Sequence, residues 1–194
     1  MVQRTVFKFL IVFWICFSGC SSIKLVEQPS QEGQERFFVN GNNQRHGKYN
    51  LWYPNGMKKL EVEYKNDRKE GIEVLWDPFG VKIRETRYKN NLKEGRELYW
   101  DAKGVLKKEI NYRLGVQQGL ETTYNSKGTK IKEETYFNNQ KHGVENGYDD
   151  NGRLIYQVTF KNGKKDGKEI FYDYSEGETP VKTEVMWENG EVVR

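Results

Sequence analysis

The chain has 194 residues, enough for one ordinary domain, of which 36% are hydrophobic, 31% charged and 14% aromatic. So low a hydrophobic fraction predicts a thin aliphatic core, whereas the aromatic content argues against disorder, because disordered segments are poor in large rings. The net charge of +4 is small, so the composition gives no strong field of one sign of the kind that binds nucleic acid or an anionic membrane.

Residues 1–19 are predicted to be a signal peptide. Arg4 and Lys8 precede the apolar run Phe9–Phe17, and small residues follow at positions 18 and 19. This is the order of charged, apolar and cleavage regions in a secretory signal. The apolar run is much shorter than the roughly 20 residues that a transmembrane helix needs.

The sequence FSGC, which ends at Cys20, resembles a bacterial lipobox. The resemblance implies that Cys20 is lipidated and becomes the first residue of the mature protein. An ordinary cleaved signal peptide and an uncleaved anchor are the alternatives. The other cysteine, Cys16, lies inside the apolar run, so cleavage before Cys20 leaves no thiol for a disulfide, a nucleophile or a metal cluster.

Residues 20–36 are predicted to be a lipidated N-terminus and a flexible tether. The segment Ser21–Arg36 is polar and shows no periodicity, so we expect it to lift the body of the protein off a membrane. The remaining residues, 37–194, are predicted to form one repeat domain.

The predicted repeat domain is defined by glycines that recur every 24 residues. A second glycine stands nine residues after each of the first five, and rings stand five and seventeen residues after the repeat glycine. The repeat glycines are Gly47, Gly71, Gly95, Gly119, Gly143 and Gly167. The first aromatic column is Trp52, Trp76, Trp100, Tyr124, Tyr148 and Tyr172, and the second is Tyr64, Tyr88, Tyr112, Tyr136 and Phe160. Self-similarity at a fixed period indicates a repeat architecture.

Each repeat is predicted to be a hairpin. The sequences WDPFG, WDAKG, YNSKG and YDDNG place turn-forming residues between rings and β-formers, with glycine where positive φ is needed. The connections between repeats are polar, rich in asparagine and end at the repeat glycine, which we expect to set a turn. The predicted fold is all-β: an elongated single-layer antiparallel meander of about six hairpins, a β-solenoid stabilised by stacking of neighbours.

The unit G-x4-[WY]-x3-G-x7-[YF], in six copies, resembles the MORN repeat in the variant found in exported bacterial proteins. The resemblance implies an open all-β solenoid used for interaction. Some members of the family are linked to phospholipid or membrane-associated partners, and some bacterial members carry an antitoxin label. An export signal departs from what a cytoplasmic antitoxin would need.

Two columns of carboxylates are the residues that most suggest chemistry. The first is Glu73, Glu97, Glu121, Glu145 and Glu169, with Tyr49 in the first unit; the second is Glu61, Glu85, Glu109 and Glu133, ending in Gln157. An acid–base pair needs two unlike environments, whereas a repeat supplies the same environment each time. We therefore expect the carboxylates to pair with neighbouring cations such as Arg84 and Lys108.

The aromatic columns have two interpretations. We predict the second column to be core, whereas Trp52, Trp76 and Trp100 form a candidate binding stripe as well as candidate core, because tryptophan favours interfaces. His46 and His142 occupy a polar turn position and are not predicted to be ligands. No catalytic residues, metal site or cofactor are predicted.

The sequence therefore predicts a non-enzymatic lipoprotein of the bacterial cell envelope. Cys20 would hold it to a membrane, the outer one where a bacterium has two, and the repeat surface would bind a protein partner. No nucleic-acid partner is predicted. One alternative is direct binding of cell-wall glycan or phospholipid head groups through the aromatic stripe, and another is an immunity or antitoxin-like role.

Overall fold

The computed structural model describes residues 22–193 and the backbone of residues 11–15. The chain divides into two compact units, residues 1–92 and 93–194. Each unit is an antiparallel meander in which consecutive strands pair, and the described residues contain no helix. The predicted all-β fold of hairpin repeats is confirmed. In the same described part of the chain, no helix has the length and hydropathy to span a membrane.

The strands are short, and each begins a few residues after its predecessor ends. In the first unit they are β1 Ile11–Ile15, β2 Ile23–Ser30, β3 Gly33–Val39, β4 Arg45–Trp52, β5 Lys58–Lys65, β6 Arg68–Trp76 and β7 Lys82–Lys89. In the second they are β8 Leu92–Trp100, β9 Leu106–Arg113, β10 Val116–Tyr124, β11 Lys130–Phe137, β12 Gln140–Tyr148, β13 Leu154–Lys161, β14 Lys164–Asp173, β15 Val181–Glu188 and β16 Glu191–Val193.

The loop inside each repeat is the tight glycine-containing turn that the sequence predicts. In the loop between β4 and β5, the Tyr53 amide donates to the Met57 carbonyl at 2.8 Å and the Gly56 amide donates to the Tyr53 carbonyl at 2.9 Å. Gly56 has a φ of 83°, which favours glycine over residues with a side chain. These loops therefore fix the register of the hairpins.

The connections between repeats are two-residue turns with positive φ at both positions, which is the type I′ geometry. Asn66 and Asp67, for example, have φ values of 52° and 63°. The turns are Asn66–Asp67, Asn90–Asn91, Leu114–Gly115, Asn138–Asn139, Asn162–Gly163 and Asn189–Gly190. Asparagine tolerates this conformation better than most residues with a side chain, which explains why the connections are rich in it.

The repeat glycines do not set turns, contrary to prediction. Gly71 lies inside β6 with a φ of 78°. There Glu61 pairs with Val74 and Glu63 with Glu70, so three residues of β6 face one residue of β5. The glycine therefore forms a β-bulge, which needs positive φ as a turn does. Gly47, Gly119, Gly143 and Gly167 occupy the same kind of bulge, and Gly95 likewise lies within its strand.

The described part of the predicted tether is folded, which corrects the sequence analysis. Residues 23–30 form β2, whose ladder with β3 runs from Lys24 opposite Val39 to Ser30 opposite Gly33. The apolar residues at its start join the meander, so the polar composition of the segment was misleading. Cys20 lies outside the described residues, and β1, which falls within the predicted signal peptide, pairs with β2.

Candidate functional site

The first carboxylate column lies in the middle of the strands and is buried. Glu97 is 0% exposed and Glu73 is 2% exposed; Glu121, Glu145 and Glu169 are buried as well. Glu97 lies opposite Ile110, which in turn lies opposite Glu121. A buried carboxylate is costly unless it is paired and hydrogen-bonded, so its partners decide what this column does.

A lysine on the same strand holds most of these carboxylates. Lys93 and Glu97 stand on either side of the repeat glycine, and Lys93 Nζ lies 2.6 Å from Glu97 Oε2. Four residues of regular strand would separate their Cα atoms by about 13 Å. Gly95, between them, has a φ of 90°, so the strand is not regular there and the two side chains come into contact. The same-strand pairs are Lys69–Glu73, Lys93–Glu97, Lys141–Glu145 and Lys165–Glu169.

An aromatic ring from the next strand covers each of these cations. Lys165 Nζ lies 4.4 Å from the ring centroid of Trp187, whose Nε1 donates to Glu169 Oε2 at 2.7 Å. Cation–π contacts of this kind are attractive. The four pairs are Lys69 over Tyr88, Lys93 over Tyr112, Lys141 over Phe160 and Lys165 over Trp187. In the first repeat, where Tyr49 replaces the glutamate, Arg45 lies over Tyr64 in the same way. Tyr88, Tyr112 and Phe160 of the second aromatic column are therefore part of the packing around buried ion pairs.

The cross-strand pairs expected for Arg84 and Lys108 are present. Arg84 Nη2 lies 3.0 Å from Glu73 Oε1, and Lys108 Nζ lies 2.5 Å from Glu121 Oε1. Glu121 has glutamine in place of the same-strand lysine, and Gln117 Nε2 donates to it at 2.7 Å. Each carboxylate of the first column thus has its own donors.

Three carboxylates of the second unit lie on consecutive strands. Glu134 lies opposite both Glu121 and Glu145. Lys141 Nζ is 2.5 Å from Glu134 Oε1 and 2.6 Å from Glu145 Oε2, and Lys132 contacts the same two glutamates. Glu134 was not among the predicted site residues, because it belongs to neither column. The one feature of the sequence that indicates its position is that Glu134 stands two residues before Tyr136, so that both side chains point to the same face of the strand.

The electrostatics of this cluster favour the charged forms. Burial opposes the charge of Glu145, but hydrogen bonds from Lys141 and Tyr156 outweigh it and lower the pKa of the carboxyl. Burial likewise opposes the charge of Lys141, but Glu134 and Glu145 raise its pKa above the usual value. Both shifts therefore favour the charged forms of Glu145 and Lys141.

The second carboxylate column lies on the opposite face of the strands. Glu73 lies opposite Thr86, while the next residues, Val74 and Glu85, lie opposite each other. Because successive side chains point to opposite faces, the two columns cannot form acid pairs. Members of the second column have their own cations, as in Lys58–Glu61 at 2.6 Å.

The predicted tryptophan stripe stands at the ends of strands and is half-buried. In the first unit, Trp52 ends β4 and Trp76 ends β6, with the Arg36 guanidinium and Lys58 Nζ each 5.7 Å from the respective ring centroids. In the second unit, Trp100 ends β8. An open groove beside Trp52 is lined by Gln34, Arg36, Trp52, Tyr53 and Pro54. In this groove a predicted stripe residue meets a concave surface.

The histidines lie at the ends of strands, away from both columns. His46 Nδ1 lies 3.0 Å from Asn66 Oδ1 of the neighbouring turn, and His142 packs against Phe137 with ring centroids 5.9 Å apart. Within the described residues, no group of three or more His, Cys, Asp and Glu side chains has the geometry to hold a metal ion.

Three of the repeats match a known family model. The model of the MORN repeat variant matches residues 45–66, 93–113 and 141–162. Each matched segment contains a repeat glycine. The repeats between them have the same spacing and the same strand pairing. No curated protein sequence is significantly similar to the chain.

Proposed function

We propose that this chain, three segments of which match the model of the MORN repeat variant, is a non-enzymatic protein of the bacterial cell envelope that presents its repeat surface to a protein partner. MORN repeats commonly bind proteins or membrane lipids. The observation that supports the proposal is that the carboxylates of the first column are buried and held by polar side chains. The residues that could have performed acid–base chemistry are buried in ion pairs that repeat along the chain, as in Lys93–Glu97.

The ion pairing of the carboxylates also argues against a glycosidase. Such an enzyme needs two carboxyl groups with different pKa values facing one substrate. Here Glu73 and Glu85 lie on opposite faces, and Glu121, Glu134 and Glu145 are each bound by lysine. The side chains that remain accessible are those on the outer faces and in the loops, which suit binding.

The envelope part of the proposal rests on the lipobox-like sequence that ends at Cys20. Its test is metabolic labelling of cells that express the full chain with a labelled fatty acid. We expect the label to enter the wild-type protein and a Ser21→Ala control, and to be lost from Cys20→Ala. Equal labelling of wild type and Cys20→Ala, or no labelling of either, contradicts lipid anchoring.

The proposed binding of a protein partner is tested by photocrosslinking in native membranes. A photoreactive residue replaces one exposed residue at a time, such as Phe79 in the loop between β6 and β7 or Val144 on a face of β12. Crosslinking to one defined protein, competed by unlabelled purified chain, supports the proposal. Absence of any competed protein crosslink from a set of positions that covers both faces contradicts it.

Direct binding of a glycan is the second candidate, and the groove beside Trp52 favours it. Tyr53 and Pro54 extend the apolar wall, and Gln34 and Arg36 supply donors at its edge. Sugars stack on aromatic faces in sites of this composition. Tryptophan fluorescence should then respond to peptidoglycan fragments in wild type and not in Trp52→Phe. A response that is equal in both proteins, or absent in both, contradicts this candidate.

A further inference from the structure

Three large apolar side chains are exposed on one face of the second unit. Leu120, Phe137 and Val144 are 46%, 50% and 38% exposed. Leu120 lies opposite Thr135, and Phe137 stands two residues after Thr135, so both side chains point to the same face. Val144 joins them because it precedes buried Glu145, as Leu120 precedes buried Glu121.

Basic residues flank this apolar centre. Arg96 on β8 and Lys168 on β14 hold the strand positions equivalent to Leu120 on β10 and Val144 on β12, one residue after the repeat glycine. These four residues form a row across the face, with cations at its two ends, which we call the basic–apolar row. The Arg96 and Lys168 side chains are 64% and 56% exposed.

The ion pairs of the two terminal cations leave them available to a partner. Arg96 lies 3.6 Å from Glu109, and Lys168 lies 2.8 Å from Glu184. Exposed ion pairs contribute only about 0–1 kcal/mol, so a carboxylate from outside can replace the internal one at little cost. Charge complementarity therefore favours a partner with acidic residues at both ends of its contact.

The polar groups between the apolar side chains are already used. Asn111 Nδ2 donates to the Leu120 carbonyl at 2.7 Å, and Thr135 Oγ1 donates to the Val144 carbonyl at 3.0 Å. These hydrogen bonds satisfy carbonyls that the bulges release from the ladder. The row thus offers apolar contact in its middle and charge at its ends, which suits an amphipathic helix better than a sugar.

The spacing of the row also fits a helix. Strands two apart lie about 9.6 Å from each other, and residues seven apart on an α-helix lie about 10.5 Å from each other on one face. On the basis of the proposed protein-binding function, we propose that the basic–apolar row docks an amphipathic helix of a partner protein. Its two apolar residues contact Leu120 and Val144, and a carboxylate seven residues beyond each of them pairs with Arg96 or Lys168.

The test uses the purified full chain and a fluorescent helical peptide with two leucines seven residues apart and glutamates seven residues beyond each. We expect saturable anisotropy in low salt, weakened at least about tenfold by Leu120→Lys together with Val144→Lys. The matched control is Ile155→Lys, an exposed apolar position on β13 outside the row, which should bind within about twofold of wild type. Circular dichroism confirms that all variants are folded.

A second pair of measurements tests the charges. Lys168→Glu should weaken binding of the acidic peptide and strengthen binding of a peptide whose terminal glutamates are replaced by lysine. The proposal is overturned if wild type does not bind the acidic peptide, or if the double variant binds it as tightly as wild type does. It is also overturned if vesicles rich in phosphatidylglycerol bind wild type, lose binding with the double variant and displace the peptide, since the row would then be a membrane site.

Failure of this docking site can be distinguished from failure of the proposed protein-binding function. A defined protein that still crosslinks to the Leu120→Lys, Val144→Lys variant leaves the protein-binding function intact and removes this row as its site. Failure to crosslink any protein from either face removes the function itself.

Discussion

Lys93 and Glu97 form an ion pair within one strand whose carboxylate is inaccessible to solvent: Nζ lies 2.6 Å from Oε2. Gly95, which lies between them, has a φ of 90°, so the strand departs from regular geometry at this point. The aliphatic core is thin, and its buried residues face this column: Val158, for example, lies opposite both Glu145 and Glu169. The charged groups of this protein are thus part of its interior.

Removal of a buried carboxylate should therefore destabilise the fold far more than removal of one from the opposite face. We expect Glu97→Ala to lower the free energy of unfolding by about 3 kcal/mol, because Lys93 is left unpaired in a partly buried position. Glu109→Ala, whose partner Arg96 is mostly exposed, should cost less than about 1 kcal/mol. Urea denaturation followed by circular dichroism measures both; equal losses would contradict the distinction.

Gly147 is required by a neighbouring ring. It lies opposite Tyr156, and a Cβ at Gly147 would stand 1.9 Å from a carbon of that ring. We expect Gly147→Ala to destabilise the protein by about 1–3 kcal/mol through overpacking. In a Tyr156→Ala background the same substitution should be nearly neutral. Gly41→Ala, which meets only one atom at 3.9 Å, is the control. A full penalty in both backgrounds would contradict the steric explanation.

The sequence predicted the strand count per repeat, the inner loops and the pairing of Arg84 and Lys108, because these depend on local turn chemistry and on period-2 alternation. It did not predict the bulges. A glycine with positive φ looks the same in the sequence whether it forms a turn or a bulge, and only the pairing of the two adjacent strands separates the two. The error at Gly71 and its equivalents follows from this.

The burial of the first carboxylate column could not be predicted from the sequence either. A glutamate followed by a β-former looks like an exposed strand residue, yet Glu97 has no exposed surface. Its burial depends on Ile110, which lies opposite it on β9, on Tyr112 of the same neighbouring strand and on Lys93 of its own strand, so it follows from the pairing of the strands. Glu134 was missed for the same reason, because its neighbours Glu121 and Glu145 come from adjacent strands.

Leu114 occupies a turn position for which asparagine is better suited. Its φ is 51°, and the equivalent first turn residues, Asn66, Asn90, Asn138, Asn162 and Asn189, have φ values of 51° or 52°. Leu114 is 64% exposed, so it loses little packing on substitution. We expect Leu114→Asn to stabilise the protein by about 1 kcal/mol, because asparagine tolerates the left-handed region. Asn138→Leu should destabilise by a similar amount; thermal unfolding compares the two, and a lower melting temperature for Leu114→Asn would contradict the expectation.

Trp76 is expected to act in packing before it acts in binding. Its ring is half-buried with Lys58 above it, and its carbonyl accepts a hydrogen bond from the Tyr53 hydroxyl at 2.9 Å. Trp76→Ala should lower the free energy of unfolding by about 2 kcal/mol, somewhat less than a fully buried tryptophan would. Phe79→Ala, at a ring that is 85% exposed, should change it by less than about 0.5 kcal/mol. Urea denaturation measures both changes. If Trp76→Ala leaves the free energy of unfolding unchanged, the ring does not act in packing and is available to a ligand.

The tyrosines over the buried pairs make the fold sensitive to alkali. Burial and the neighbouring Glu97 carboxylate raise the pKa of Tyr112 from 10.0 to about 12. Since the folded pKa is the higher one, the stabilisation is present below pH 10 and is lost as the pH rises through about 12. We expect the urea midpoint of wild type to fall more steeply over this interval than that of Tyr112→Phe, which has no proton to lose. Tyrosinate absorbance checks the titration itself. Parallel pH profiles for the two proteins would show that the Tyr112 hydroxyl ionises alike in the folded and unfolded chains.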